Sequence, residues 1–253
     1  MRRHILEQAK AVRDFCVGRI ERGMLSRTRR VYMDEKLEHI CSRAVWCRVC
    51  FQQGLVKPAL IELAQPRWVG PRYVESRPRI VAILLNPGAG KGKGELGNDG
   101  LAKLLPRYRD GEIGLGQVFE FQRNHLRTWG RPAGRFLNYF VVGLGLDLES
   151  LAFANLAWCA TQKDQYPDRM LKQCFGRHTG PLLEWLNPDV VLLSGAKVQA
   201  FRGMIAAECP MARMIGIPHF AHREGKASEE EALASARSEI NEIKAGLLAK
   251  SVF

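Results

Sequence analysis

The stretch "RIVAILLNPG", Arg79–Gly88, decides the fold. Six apolar residues run without alternation into an Asn-Pro-Gly turn. A continuous apolar run closed by turn residues is the pattern of a strand buried on both faces, as in a parallel sheet. Three further runs of this kind follow: "LAFANLAW" (Leu151–Trp158), "DVVLLSG" (Asp189–Gly195) and "ARMIGIPH" (Ala212–His219). Helical spacing falls between them, over Ala133–Val142, Asp168–Trp185 and Ala196–Ala206. A charged helix over Ser228–Ala249 closes the chain. Strands alternating with helices predict a single-domain α/β fold, three-layer α/β/α, with a four-stranded mainly parallel sheet.

Upstream of the first strand, residues 1–45 read as helices, in "HILEQAKAVRDFCVGRIERG" and "DEKLEHICSRAV". Leu55–Arg79 holds four prolines and reads as a connector with one short helix at Ala59–Ala64. Residues 91–128 are long for a strand-to-helix connection and are expected to carry helices of their own.

The loop "NPGAGKGKG" (Asn86–Gly94) has the look of a phosphate cradle. A nucleotide-hydrolysing P-loop would need a hydroxyl residue after Gly90-Lys91 or Gly92-Lys93, and Gly92 and Gly94 stand there instead. The motif's first Gly is replaced by Leu85 in one register and Pro87 in the other. The loop is therefore read as a strand-end turn that a ligand backbone can approach closely.

Over 253 residues, 38 Lys and Arg outnumber 26 Asp and Glu, for a net charge of +12. A surface this basic attracts polyanions, and nucleic acid is the expected partner. No apolar run reaches the roughly 20 residues that span a bilayer. The first residues, "MRRHILEQAKAVRDF", lack the apolar centre of a signal peptide. A cytoplasmic monomer is the expectation.

In open parallel sheets, ligands bind beyond the carboxyl ends of the strands. Asn86-Pro87-Gly88 follows the first strand, Asn155 lies near the end of the second, and His219 ends the fourth. Read singly, Asn155 is a satisfied buried amide and His219 a capping or core histidine. Seven cysteines in a cytoplasmic chain are not read as disulfides. Cys47 and Cys50 sit on one tight turn, able to chelate one metal centre. Cys159 and Cys174 form a second, wider pair. The set suits zinc or a [4Fe-4S] cluster, and the wide second pair suits the cluster better. Cys41 is a reserve ligand. Cys16 and Cys209 read as core.

The order of these pieces resembles the uracil-DNA glycosylase superfamily, most closely its four-cysteine iron–sulfur branch. The resemblance runs from about Trp46 to Gly225. It rests on Cys47/Cys50, "LLNPG", "WGRPAGRFLNYF", "ANLAWCATQKDQYPDRMLKQC", "NPDVVLLSGAKVQAF" and "GIPHFAHREG". The Asn-Pro-Gly loop is similar to that of the mismatch-specific and single-strand-selective branches. Leu84 stands where the family has the first Gly of that motif. "HFAH" stands where His-Pro-Ser is common.

The resemblance implies a DNA glycosylase that removes uracil or a related deaminated base by hydrolysis of the N-glycosidic bond. It implies Asn86 as the residue that positions water and His219 as donor to the leaving base, with His222 the competitor in "HFAH". Leu85, Gly88 and Asn155 would contact the base. Trp129 would be the stacking aromatic, with Phe119 and Phe121 as alternatives. Lys91, Lys93, Arg131, Arg223 and Lys226 would meet phosphates. Cys47, Cys50, Cys159 and Cys174 would hold a structural [4Fe-4S] cluster, with zinc as the alternative. A catalytically inactive nucleic-acid-binding protein on the same fold is the other reading.

Overall fold

The structure is a computed structural model that describes residues 34–87, 98–130, 133–221 and 226–250. Gly88, Lys91, Lys93, Arg131, His222, Arg223, Cys16 and the first expected helix lie outside the described residues.

Helix α1 (Glu35–Val45) begins where Asp34 caps it, its carboxylate accepting from the Leu37 N–H at 3.0 Å. It buries Leu37, Ile40, Cys41, Ala44 and Val45, residues at helical spacing. A single turn, α2 (Val49–Gln52), carries Cys50. Strand β1 (Ile80–Leu84) follows, and then two helices lie within residues 98–128: α3 (Asn98–Arg109) and α4 (Leu115–Thr128). The short α5 (Arg135–Leu137) runs into a π-helical stretch over Asn138–Gly143. After β2 (Leu151–Asn155), α6 (Asp168–Cys174) passes through a π-helical stretch, Phe175–Thr179, into α7 (Gly180–Leu186). Strand β3 (Val190–Ser194) is followed by α8 (Ala196–Gln199), α9 (Arg202–Glu208), β4 (Arg213–Ile217) and α10 (Lys226–Lys250).

The four strands form one all-parallel sheet in the order β2-β1-β3-β4. The expected α/β fold is present, and every strand pair in it is parallel. α10 returns to the segment between β1 and β2, where Arg135 pairs with Glu229 and Leu233 lies against Gly143. β1, β2 and β3 are buried along their whole length. β4 is not: it lies at the edge of the sheet, with Arg213 and Gly216 exposed. An edge strand lacks a neighbour on one side, so an apolar run alone does not bury it.

The connector before β1 also differs from expectation. Ala59–Ala64 forms no helix; the chain from Lys57 to Gly70 is an extended strap laid antiparallel along β2 and the residues that follow it. Gln162 N–H donates to Lys57 O, Ala59 N–H to Ala160 O and Gln65 N–H to Trp158 O, at 2.8–3.1 Å. Farther along, Phe153 N–H donates to Trp68 O and Gly70 N–H to Leu151 O. Proline suits this role, because a strap bonded on one side leaves alternate N–H positions unused. The helix expected over Ala196–Ala206 is interrupted at Ala200 and Phe201.

Among the described residues no helix is long and apolar enough to cross a membrane.

Candidate functional site

β1 passes the chain to β2 on one side, and β3 passes it to β4 on the other, so the connections diverge between β1 and β3. The crevice beyond the carboxyl ends at that divergence is where such sheets bind ligands.

On the β4 side, Pro218 to Phe220 is fixed from several directions. Tyr139 Oη donates to Pro218 O at 2.5 Å, and Arg135 Nε donates to Phe220 O at 2.8 Å. Arg135 also grips Glu229 of α10 with Nη2, at 2.9 and 2.7 Å from its two oxygens. Gly195, the residue after β3, donates its N–H to Ile217 O at 2.9 Å. With φ +88° and ψ 157°, Gly195 lies in a region closed to other residues. A Cβ there would sit 3.2 Å from His219 Cβ, so the glycine gives the histidine its seat. Ala221 N–H donates to His219 Nδ1 at 3.2 Å. A nitrogen that accepts carries no proton, so this bond puts the neutral ring's proton on Nε2.

On the other side, Leu84 and Asn155 are register partners at the ends of β1 and β2. The pairing continues past the strands, with Leu156 N–H on Leu84 O and Ala157 N–H on Leu85 O, both at 2.9 Å. Half-buried Asn86 hydrogen-bonds with the Tyr166 hydroxyl. That hydroxyl also accepts from Thr161 N–H at 3.2 Å. Asn155 is fully buried. In the orientation that satisfies both ends of its amide, the oxygen accepts from Arg67 Nε at 2.7 Å and the nitrogen donates to Ala154 O at 3.0 Å. Its main-chain oxygen accepts from Thr179 Oγ1 at 2.6 Å, and Trp158 Nε1 donates to the same hydroxyl at 3.0 Å.

Sequence reasoning did not find Arg67. It sits on the strap, 7% exposed, with its guanidinium 5.4 Å from the centre of the Trp129 ring. Burial lowers its pKa to about 10, against a smaller opposing pull from Tyr166, so it remains a cation at neutral pH. A pattern in the sequence that hints at it is an arginine between Pro66 and Trp68 in a segment that buries Leu63, Ala64, Trp68 and Val69.

Trp129 is partly buried, stacked on Phe136 at 4.5 Å and on His125 at 5.9 Å. Arg67, Gln122, His125 and Trp129, with Leu84 and Phe153 among the apolar walls, enclose a cavity of about 10 Å³. Of the two alternative aromatics, Phe119 is a core residue packed edge-on against Trp68. Phe121 stacks on His125 at 6.3 Å. His219 reaches this cluster through Phe220, whose ring lies 5.4 Å from Trp129.

All of the described cysteines are free thiols. Cys47, Cys50, Cys159 and Cys174 share one electrostatic neighbourhood. Burial raises the Cys159 pKa well above its ordinary value, and the other three thiols raise it further. Burial pushes Cys174 up to about 12, opposed by the Trp158 N–H that its Sγ accepts at 3.2 Å, with Cys50 and Cys47 adding to the rise. Burial and then Cys47 raise Cys50, while Arg177 draws it down. Among the described residues no three His, Cys, Asp or Glu side chains close on a single-ion position. Cys159 and Cys174 thus both feel Cys47 and Cys50, and none of the four thiols is bridged. Cys41 stands apart, raised by burial and by Glu38 alone. Cys209 is a core thiol donating to Ile205 O at 3.2 Å.

No protein-family model matches this chain, and no curated protein matches it.

Proposed function

We propose that this protein is a cytoplasmic, monofunctional DNA glycosylase that excises uracil or a related deaminated base. The observation that supports it most is the arrival of Asn86, Asn155 and His219 at the carboxyl ends of three strands of one parallel sheet. The net charge of +12 fits a polyanionic substrate.

The reaction breaks the bond between C1′ of the sugar and the base nitrogen. The electron pair leaves with the base, whose ring becomes an anion, and the sugar becomes oxocarbenium-like. The target base must first leave the stack. His219, with its proton on Nε2, donates a hydrogen bond to the base oxygen on which charge develops. Asn86, steadied by Tyr166, orients the water that adds to C1′. An amide does not titrate, so the water's proton passes to solvent and the rate rests on charge stabilisation. Cys47, Cys50, Cys159 and Cys174 would hold a [4Fe-4S] cluster, which supplies a structural tie and no redox step.

The test is base release from oligonucleotides carrying uracil, hypoxanthine or a mismatch, in single and double strands. Loss of one preorganised donor at a developing anion costs about 100- to 1000-fold in rate. His219→Ala is expected to fall by that order with DNA affinity little changed. Activity that survives His219→Ala but not His222→Ala would transfer the role to His222. Protein that retains its metal yet releases no base would leave a DNA-binding protein without catalysis.

A further inference from the structure

The aromatic cavity beside Asn155 holds a buried cation and an unpaired acceptor. Arg67 is held by Asn155, and its only other charge or ring partners among the described residues are Tyr166 and Trp129. A buried cation without a carboxylate is costly, and such a group persists where it has a use. Gln122 lies across the same cavity, 2% exposed. Its Nε2 donates to Pro66 O, which turns its Oε1 the other way, buried and with no hydrogen-bond partner among the described residues. Apart from His125 the rest of the wall is apolar: Leu84, Leu126, Phe153, Phe136 and the two tryptophans. Aromatic walls with one donor and one acceptor suit a flat heterocycle rather than a phosphate.

Asn155 does not line that cavity, and its amide oxygen is turned to Arg67 Nε. We propose that Arg67 and Gln122 read the extruded base, with Asn155 as the residue that positions Arg67. A guanidinium only donates, and an amide oxygen only accepts. Together they match an edge that presents a carbonyl oxygen beside an N–H. Uracil and hypoxanthine both carry that edge. Cytosine and adenine, from which deamination makes them, carry an amino donor beside a bare ring nitrogen, the reverse order. The pair therefore recognises the product of deamination in pyrimidines and purines alike. The cavity of about 10 Å³ is roughly the room of one water, so it must open to take a base. His125 and Trp129 are its only partly exposed walls, and their stacked rings are its mouth.

This inference rests on the glycosylase reading, but its test needs no cleavage. Oligonucleotides carrying 2′-fluoro-deoxyuridine, 2′-fluoro-deoxyinosine, 2′-fluoro-deoxycytidine or 2′-fluoro-deoxyadenosine resist hydrolysis and report binding alone. Wild-type protein is expected to prefer the uridine and inosine strands by roughly 5- to 150-fold over their amino counterparts, the range of one well-made pair of base contacts. Arg67→Gln and, separately, Gln122→Met should bring both ratios close to one while general DNA affinity persists. A wild-type protein with no such preference overturns the proposal, whatever the variants do. So does a folded Arg67→Gln protein that keeps it, since Asn155 would then be the reader. Uracil release without these ratios sinks the inference and leaves the glycosylase. Ratios without release of any base do the opposite.

Discussion

Replacing Gly195 by alanine tests whether the turn after β3 seats the candidate histidine. The backbone at φ +88° and ψ 157° is in a region that costs about 1–3 kcal/mol for a residue with a Cβ. The new Cβ would also stand 3.2 Å from His219 Cβ and 3.7 Å from Cδ2, so the ring must give way by a few tenths of an ångström. A stiffer unfolded chain returns about 0.4–1 kcal/mol. The net loss is about 1–2 kcal/mol, and for a chain of this length each kcal/mol shifts Tm by roughly 2–4 °C. Calorimetry should show a fall of about 2–8 °C. Because the histidine moves with the turn, single-turnover base release should slow about 10-fold or more, with DNA affinity unchanged. Gly203 is the control: it lies in α9 with no atom within 4 Å of an added Cβ and no positive φ. Gly203→Ala should hold Tm or raise it, by about 0.5 kcal/mol of stability. Equal effects at the two glycines would refute the argument, as would a Gly195→Ala protein with unchanged Tm and rate.

Three further expectations follow from the same geometry. Gly70→Ala would drive a Cβ to 2.3 Å from Glu149 O, a main-chain atom that cannot step aside, so the variant should be recovered largely unfolded or with the strap detached, as read by limited proteolysis. His178 is buried with neither ring nitrogen paired, and burial, then Arg43 and Arg177, lowers its pKa to about 4. The unfolded chain takes up that proton near pH 6.5 and the folded chain does not, so stability should fall as pH drops from 6.5 to 4, by on the order of 3 kcal/mol; a His178→Gln variant whose urea midpoint falls as steeply would show that other groups carry the loss. Cys159→Ser should cost anaerobically purified protein its iron and sulfide and much of its stability, since such binding energy is folding energy; zinc alone in the wild type would count against the cluster.

The sheet was legible because β1, β2 and β3 are buried throughout, and total burial writes itself as an unbroken apolar run. β4 carries a similar run, and nothing in it reveals an edge position, because that depends on which strand lies beside it. The places of Asn86, Asn155 and His219 at strand ends could be read from the apolar runs alone. Arg67 could not. Its burial comes from the strap docking against β2, whose residues lie far along the chain, and no local periodicity records such a pairing. Gln122 was hidden for a similar reason: on α4 it reads as one more polar helix residue until Pro66 and the aromatic walls close over it.

The strap has a consequence for how this protein behaves at high concentration. An open sheet offers two rows of unpaired main-chain groups, one along each outer strand, and both invite a foreign strand. Here the row along β2 is already taken by Lys57–Gly70 of the same molecule. Among the described residues only β4 can recruit, and it bears the exposed charge of Arg213, paired with Glu239 on α10. A sheet with one usable side can join one other sheet and then stops. Strand-to-strand association through the described sheet therefore ends at a pair while the strap stays in place.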